Sequence, residues 1–150
     1  MTEAQPSLER RLETLRALIS NPTTRPPAAE LVDMQVLSLE AGRVRLQYAV
    51  KPEFMHPGQA VQGGIVTMYA DMAMALAGET LCAEGEFLTT TQLSISFLAP
   101  VRRGPVFADG TVAKKGRTTF FMESVVTDAE GKEMARATSI GVAVRLPSQA

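Results

Sequence analysis

The chain has 150 residues, of which 45% are hydrophobic and 21% charged, and its formal net charge is −1. That length predicts one domain with a substantial core, and the balanced charge gives no basic field that would bind nucleic acid. One cysteine and one histidine exclude an internal disulfide and argue against a metal site. Residues 1–20 are too acidic for a signal or transit peptide, and no apolar run is long enough to span a bilayer. We therefore expect a soluble cytoplasmic protein with no membrane partner.

The amino-terminal segment predicts an amphipathic helix. Leucine and isoleucine recur at helical spacing between charged side chains, from Ser7 as the N-cap to Asn21-Pro22, where the helix should stop. Pro26-Pro27 then marks a connector. We therefore divide the chain into a helix with its connector, residues 1–30, and a main domain, residues 31–147.

The main domain starts with a predicted β-hairpin, a loop and a long helix. Apolar and polar residues alternate on both sides of the turn at Ala41-Gly42, over residues 34–50. Residues 51–61 contain prolines and a glycine that predict a loop. The run from about Gly64 to Gly78 is apolar nearly all the way round and rich in alanine and methionine, which predicts a buried central helix.

Four alternating segments separated by turns predict the remaining strands. The first runs from Leu93 to Phe97 and ends before Pro100, and the others cover residues 106–113, 118–127 and 132–144. Strands joined by tight turns pair antiparallel, so these should form a meander. The order of elements predicts an α+β domain in which an antiparallel sheet buries one central helix.

One carboxylate, Asp71, lies in the middle of the predicted central helix. A carboxylate in an apolar helix is costly unless it has a partner or a chemical role. It could cap a neighbouring segment, or it could act as a general base toward water or as a nucleophile. The residues that open the same helix favour the chemical role.

A glycine pair, Gly63 and Gly64, stands where the loop enters this helix. The start of a helix offers unpaired backbone N–H groups and the positive end of the helix dipole. Glycine allows a ligand to approach that backbone closely. The pair therefore predicts an oxyanion hole, with donors for the charge that develops on a carbonyl oxygen.

The spacing between these groups has a consequence for assembly. Gly63 and Asp71 are eight positions apart, which is roughly 12 Å along one helix. A reacting carbonyl must lie about 3 Å from both the oxyanion donors and the attacking group. One chain cannot satisfy this, whereas two antiparallel central helices can, twice, by two-fold symmetry. We therefore predict at least a homodimer with shared sites.

Three motifs carry a resemblance to a known family. The segment MHPGQAVQGGIVTMYADMAMALA, together with LSISFLAPVRRG and the stretch from Gly116 through Gly131 to Ala137, resembles the hotdog-fold acyl-CoA thioesterases. The likeness is to the branch of the phenylacetate-degradation thioesterase, and it covers roughly residues 31–144. It implies an antiparallel sheet wrapped around a long central helix, to which this chain adds an amino-terminal helix. It also implies a homodimer, often a dimer of dimers (a homotetramer), that hydrolyses acyl-CoA without a cofactor beyond the coenzyme A of its substrate.

The resemblance assigns roles to particular residues. Asp71 matches the helix carboxylate that acts as base or nucleophile, and Gly63 matches the glycine whose N–H polarises the thioester carbonyl. His56 stands where relatives carry Asn or Gln near that carbonyl. Thr90 matches a Ser or Thr that orients water, although its place in a β-prone run also suits a plain strand residue. Gln62 departs from the histidine that many relatives have there, and it can bond the substrate but cannot shuttle protons at neutral pH.

The resemblance implies that the substrate is a small or medium acyl-CoA, with aromatic acyl groups among the candidates. Gly64 adds a second amide near the carbonyl, and two basic clusters could bind the coenzyme A phosphates. Two other functions remain open: an acyl-thioester hydratase or dehydratase that pairs His56 with Asp71, and a non-catalytic acyl-CoA binding protein. The basic residues are Arg102, Arg103, Lys115 and Arg117.

Overall fold

The computed structural model describes residues 4–145, with side chains described from Ser7 onward. These residues form three α-helices and six strands. The helices are α1 (Ala4–Ser20), α2 (Pro27–Leu31) and α3 (Gly63–Glu79), and a short 3₁₀ turn covers Pro52–Phe54. The strands are β1 (Gln35–Glu40), β2 (Arg43–Tyr48), β3 (Glu86–Phe97), β4 (Val106–Lys115), β5 (Thr119–Thr127) and β6 (Glu133–Arg145).

The strands form one antiparallel sheet in the order β1-β2-β4-β5-β6-β3. This sheet curves around α3, which it contacts through β2, β3, β4, β5 and β6. The predicted α+β architecture of a sheet around a central helix is confirmed. The predicted meander holds only for β4, β5 and β6, because β3 pairs with β6 rather than with β4 and forms an edge of the sheet.

Two predicted element starts are wrong. The first helix already includes Ala4, so Ser7 lies inside it and is not its N-cap. Pro6 is compatible with this because the N–H groups of a first helical turn have no partner within the helix. The strand expected at Leu93 instead begins at Glu86, seven residues earlier.

A β-bulge in β3 explains why the alternation of apolar and polar residues predicted only the second half of this strand. The pairing with β6 shifts between Thr90 and Gln92, so Thr91 is an extra residue. Such a residue reverses which face the following side chains occupy. Thr90, which pairs with Gly141, and Leu93, which pairs with Ser139, therefore both point toward α3, although three positions separate them.

Helix α3 lies unusually close to the sheet at Gly110 in β4. A Cβ atom built on Gly110 would be 2.1 Å from the carbonyl oxygen of Ala73 in α3. Two stacked tyrosines also connect the helix to the sheet. Tyr48 of β2 and Tyr69 of α3 have ring centroids 4.5 Å apart. Their hydroxyl groups bond the main chain reciprocally, Tyr48 to the Tyr69 carbonyl at 2.9 Å and Tyr69 to the Ala49 carbonyl at 3.0 Å.

Replacing Gly110 with alanine should destabilise the protein by about 3 kcal/mol, since the new methyl group overlaps backbone that cannot rotate away. Urea unfolding measures the change. Gly64→Ala is the matched control, because a Cβ there meets nothing within 4 Å. A Gly110→Ala protein as stable as Gly64→Ala would show that the helix does not sit this close to β4.

Candidate active site

The start of α3 presents two backbone donors that have no partner in the described chain. Gln62 is the N-cap, and its carbonyl accepts the N–H groups of Ile65 at 2.9 Å and Val66 at 3.2 Å. The N–H groups of Gly63 and Gly64 bond nothing among residues 4–145. Space is open beside Gly64, where a Cβ would meet no atom within 4 Å. These amides lie at the positive end of the helix dipole and can donate hydrogen bonds to a negatively charged oxygen.

The carboxylate of Asp71 is oriented by Thr90. The Thr90 hydroxyl donates to Asp71 Oδ1 over 2.8 Å, from β3 to the middle of α3, and both residues are half-buried. No other group in the described chain donates a hydrogen bond to Asp71, so Oδ2 keeps its lone pairs for a ligand. The structure thus brings together two of the predicted site residues within one chain.

The charge of Asp71 also reaches the tyrosine pair beneath it. Burial raises the pKa of Tyr48 well above its ordinary value, and repulsion from an ionised Tyr69 and from the Asp71 carboxylate raises it further. Burial alone raises the pKa of Tyr69 to about 12. Both tyrosines therefore remain protonated hydrogen-bond donors that fix α3 in place.

The glycine amides and the carboxylate do not meet within one chain. Gly63 and Asp71 lie on the same continuous helix. Their eight positions correspond to about 12 Å of helix. A carbonyl bound at the amides of one chain is therefore beyond reach of the carboxylate of that same chain.

His56 is bound into its own loop. Its Nδ1 accepts the N–H of Gly58 at 2.9 Å, so the ring proton lies on Nε2 in the neutral form. The ring fits so closely that a Cβ on Gly58 would lie 2.7 Å from its Cε1. The structure shows no hydrogen bond between His56 and Asp71. Gln62 is exposed, and its side chain does not cap α3.

The two basic clusters lie at opposite ends of α3. Arg102 donates to the carbonyls of Gly58 and Gln59 at 3.1 and 3.2 Å, in the loop that precedes α3, and Arg103 follows it. Lys115 donates to the Leu81 carbonyl at 2.7 Å, just beyond the other end of the helix. Arg103 also lines a cleft of about 400 Å³ with Arg102, Asp128, Glu130 and Lys132. Arg117 lies in the turn between β4 and β5.

An ion pair at the far end of α3 was not predicted. Arg11 of α1 pairs with the Glu79 carboxylate and also donates to the Glu79 carbonyl at 2.9 Å and the Glu86 carbonyl at 3.1 Å. Burial raises the pKa of Glu79, while the N–H of Leu88 and the charge of Arg11 oppose that rise. The pair fastens α1 to the end of the central helix. No local sequence pattern reveals a contact between residues 68 positions apart.

Comparison with known proteins identifies the family. Residues 58–135, just over half of the chain, match the sequence profile of the thioesterase superfamily. A protein of Saccharolobus solfataricus named as a candidate esterase is 33% identical over 121 residues, which cover 81% of this chain and 86% of that protein. The fold and these matches define a thioester hydrolase of the hotdog class. The chain belongs to the thioesterase superfamily.

Two solved structures illustrate the likeness. The E. coli PaaI protein from the phenylacetic acid degradation operon superposes with a TM-score of 0.80 at 19% identity, covering 94% of this chain and 96% of that one. A Streptococcus mutans protein bound to acetyl CoA superposes with a TM-score of 0.69 at 25% identity, covering 75% and 89%. In the described part of this chain, no helix is long and apolar enough to cross a membrane.

Proposed function

We propose that the protein hydrolyses acyl-CoA thioesters in sites shared between two copies of the chain. The observation that carries this proposal is the Thr90–Asp71 hydrogen bond of 2.8 Å, which orients a carboxylate far along the helix from the unpartnered glycine amides. Two such helices, lying antiparallel, would bring each carboxylate to the amides of the other copy. The acetyl CoA seen with the Streptococcus mutans relative supports an acyl-CoA substrate.

The reaction needs only groups of the protein and water. The thioester oxygen binds at the N–H groups of Gly63 and Gly64, which stabilise the oxyanion. In the second copy, Thr90 and Asp71 hold a water molecule. The water oxygen adds to the carbonyl carbon while the water loses a proton to Asp71 Oδ2 of that copy. The carbon–sulfur bond then breaks, the sulfur takes the proton from Asp71, and the carboxylic acid and coenzyme A leave. Direct attack by Asp71 is the alternative route, through an anhydride that water hydrolyses.

The exposed edge of the sheet supports the dimer. Strand β3 has 12 residues and pairs with β6 on one side only. Phe97 and Leu98, at its end, are each 53% exposed. A long unpaired strand with apolar residues is a template for pairing with another chain. A dimer of dimers remains a prediction from the family resemblance.

Arg102 and Arg103 are proposed to bind coenzyme A phosphates, because they lie at the end of α3 that carries the glycine amides. Arg102 bonds the loop before α3, so Arg103 is the more available cation of the two. Lys115 and Arg117 are remote from these amides within one copy. His56 and Gln62 are proposed to position the loop and the carbonyl, with no proton transfer by Gln62.

A thiol-release assay with saturated acyl-CoAs tests this function. We expect free coenzyme A to appear from acetyl-, hexanoyl- or benzoyl-CoA. A hydratase would instead add water to an enoyl-CoA and release no thiol. A binding protein would bind acyl-CoA and leave it intact, so either of those results would overturn the proposal.

Replacing Gly63 with proline should lower kcat by about 100-fold, because it deletes one oxyanion donor. Proline is tolerated at the first position of a helix, and Gln62 already has the extended backbone that precedes proline, with φ −52° and ψ 134°. Gly63→Ala is the control, since it adds a Cβ near the Phe97 ring but keeps the N–H. Steady-state thiol release measures both variants. Equal losses in the two would mean that crowding matters and the amide does not.

A further inference from the structure

Strand β3 carries a row of apolar side chains on the face that covers α3. Leu93 and Ile95 are half-buried, and Phe97 is 53% exposed. The residues opposite them on β6 are all buried beneath the same face: Ser139, Ala137 and Ala135. Residues opposite one another in a sheet share a face, so the row points toward the helix. We name Leu93, Ile95 and Phe97 the β3 apolar row.

The row ends directly at the glycine amides. Three ring atoms of Phe97 lie 3.2, 3.5 and 3.6 Å from the position that a Cβ on Gly63 would occupy. The ring therefore covers one side of Gly63, whereas the space beside Gly64 is open. A group that extends from a carbonyl at these amides can therefore contact the Phe97 ring.

The surroundings of Phe97 differ in polarity in the two directions along the chain. Toward the amino terminus, the row continues through Ile95 and Leu93. Toward the carboxyl terminus, the chain reaches Arg102 and Arg103, and Arg102 bonds the loop that precedes α3. A thioester likewise has two unlike arms, an apolar acyl group and a coenzyme A arm that ends in phosphates. Apolar surface suits the first arm and cations suit the second.

We propose that Phe97 is a specificity residue that binds the acyl group, which runs along the β3 apolar row from Phe97 toward Ile95. This inference rests on the proposed thioester hydrolysis at Gly63. It names the preferred substrates as acyl-CoAs whose apolar acyl group extends well beyond the carbonyl. An acetyl group is too short to gain from the row, and a longer chain covers more of it.

Phe97→Ala tests this assignment with acetyl-, hexanoyl- and decanoyl-CoA in the thiol-release assay. We expect kcat/KM for decanoyl-CoA to fall about tenfold, mainly through a higher KM. The lost apolar contact binds the acyl group equally in the ground state and in the transition state, so its removal leaves kcat nearly unchanged. The value for acetyl-CoA should change less than about twofold. Phe97→Leu keeps an apolar side chain without the ring, so its kcat/KM for decanoyl-CoA should fall less than that of Phe97→Ala. It also keeps the test informative if Phe97→Ala does not fold.

Phe121→Ala is the matched control. Phe121 is also an exposed phenylalanine on a strand, but Phe120 and Met122 beside it are buried, so its ring points to the outer face of the sheet. Its removal should leave the ratio of decanoyl to acetyl turnover unchanged. Equal losses for all three substrates in Phe97→Ala, or an unchanged ratio in a folded protein, would overturn the acyl assignment while hydrolysis itself stands. A wild-type protein that releases no thiol would instead overturn the proposed function.

Discussion

Replacing Asp71 with asparagine should lower kcat for hexanoyl-CoA hydrolysis by about 1,000-fold, because the amide cannot accept a proton or attack a carbonyl. The geometry should survive the change. Asparagine has the same shape as aspartate, and its Oδ1 can still accept the Thr90 hydroxyl that now lies at 2.8 Å. Thiol release gives the rate, and circular dichroism before and after heating shows whether the fold is kept.

Asp109→Asn is the matched control for the same chemical change. Asp109 is a half-exposed carboxylate in β4 that pairs with Arg45 at 2.5 Å, outside the proposed site. An exposed pair of this kind contributes roughly 0–1 kcal/mol, so this variant should keep wild-type kcat. If Asp71→Asn retained its activity as Asp109→Asn does, Asp71 would be a structural carboxylate and a different group would have to attack the thioester.

The central helix could be predicted from the sequence because its determinants are local. The glycine pair, the apolar run and the absence of proline indicate a helix from about Gly64 to Gly78, and α3 spans Gly63–Glu79. The hairpin around Ala41-Gly42 is local in the same sense, and β1 and β2 lie on either side of that turn. The separation of Gly63 from Asp71 follows from helix geometry alone, so the argument for a shared site needs no tertiary information.

The features that escaped prediction depend on contacts between distant parts of the chain. The bulge at Thr91 interrupts the alternation of apolar and polar residues in β3. Only the pairing of β3 with β6 shows that Thr90 and Leu93 share a face. The role expected for Thr90 came from the family resemblance, whereas its contact with Asp71 depends on the edge position of β3. The pairing of Arg11 with Glu79 likewise requires α1 to reach the end of α3.

A mixed dimer of two inactive variants should recover activity if each site takes its amides from one copy and its carboxylate from the other. One chain would carry Gly63→Pro and the other Asp71→Asn. In the mixed dimer one site combines both damaged groups, and the other combines the intact glycine of the Asp71→Asn chain with the intact aspartate of the Gly63→Pro chain. That second site should give about half of the wild-type activity per dimer, from parents that are each at least about 100-fold slower.

Purification through a different affinity tag on each chain isolates the mixed dimer, and thiol release from hexanoyl-CoA measures its rate. A dimer of two wild-type chains with the same pair of tags is the control for effects of the tags. Sites contained within one chain predict a different result, since each chain of the mixed dimer then has one damaged group and the rate stays at the level of the parents. Recovery would therefore show that the amides of one chain act together with the carboxylate of the other. The roughly 12 Å between Gly63 and Asp71 on one helix is the reason to expect this result.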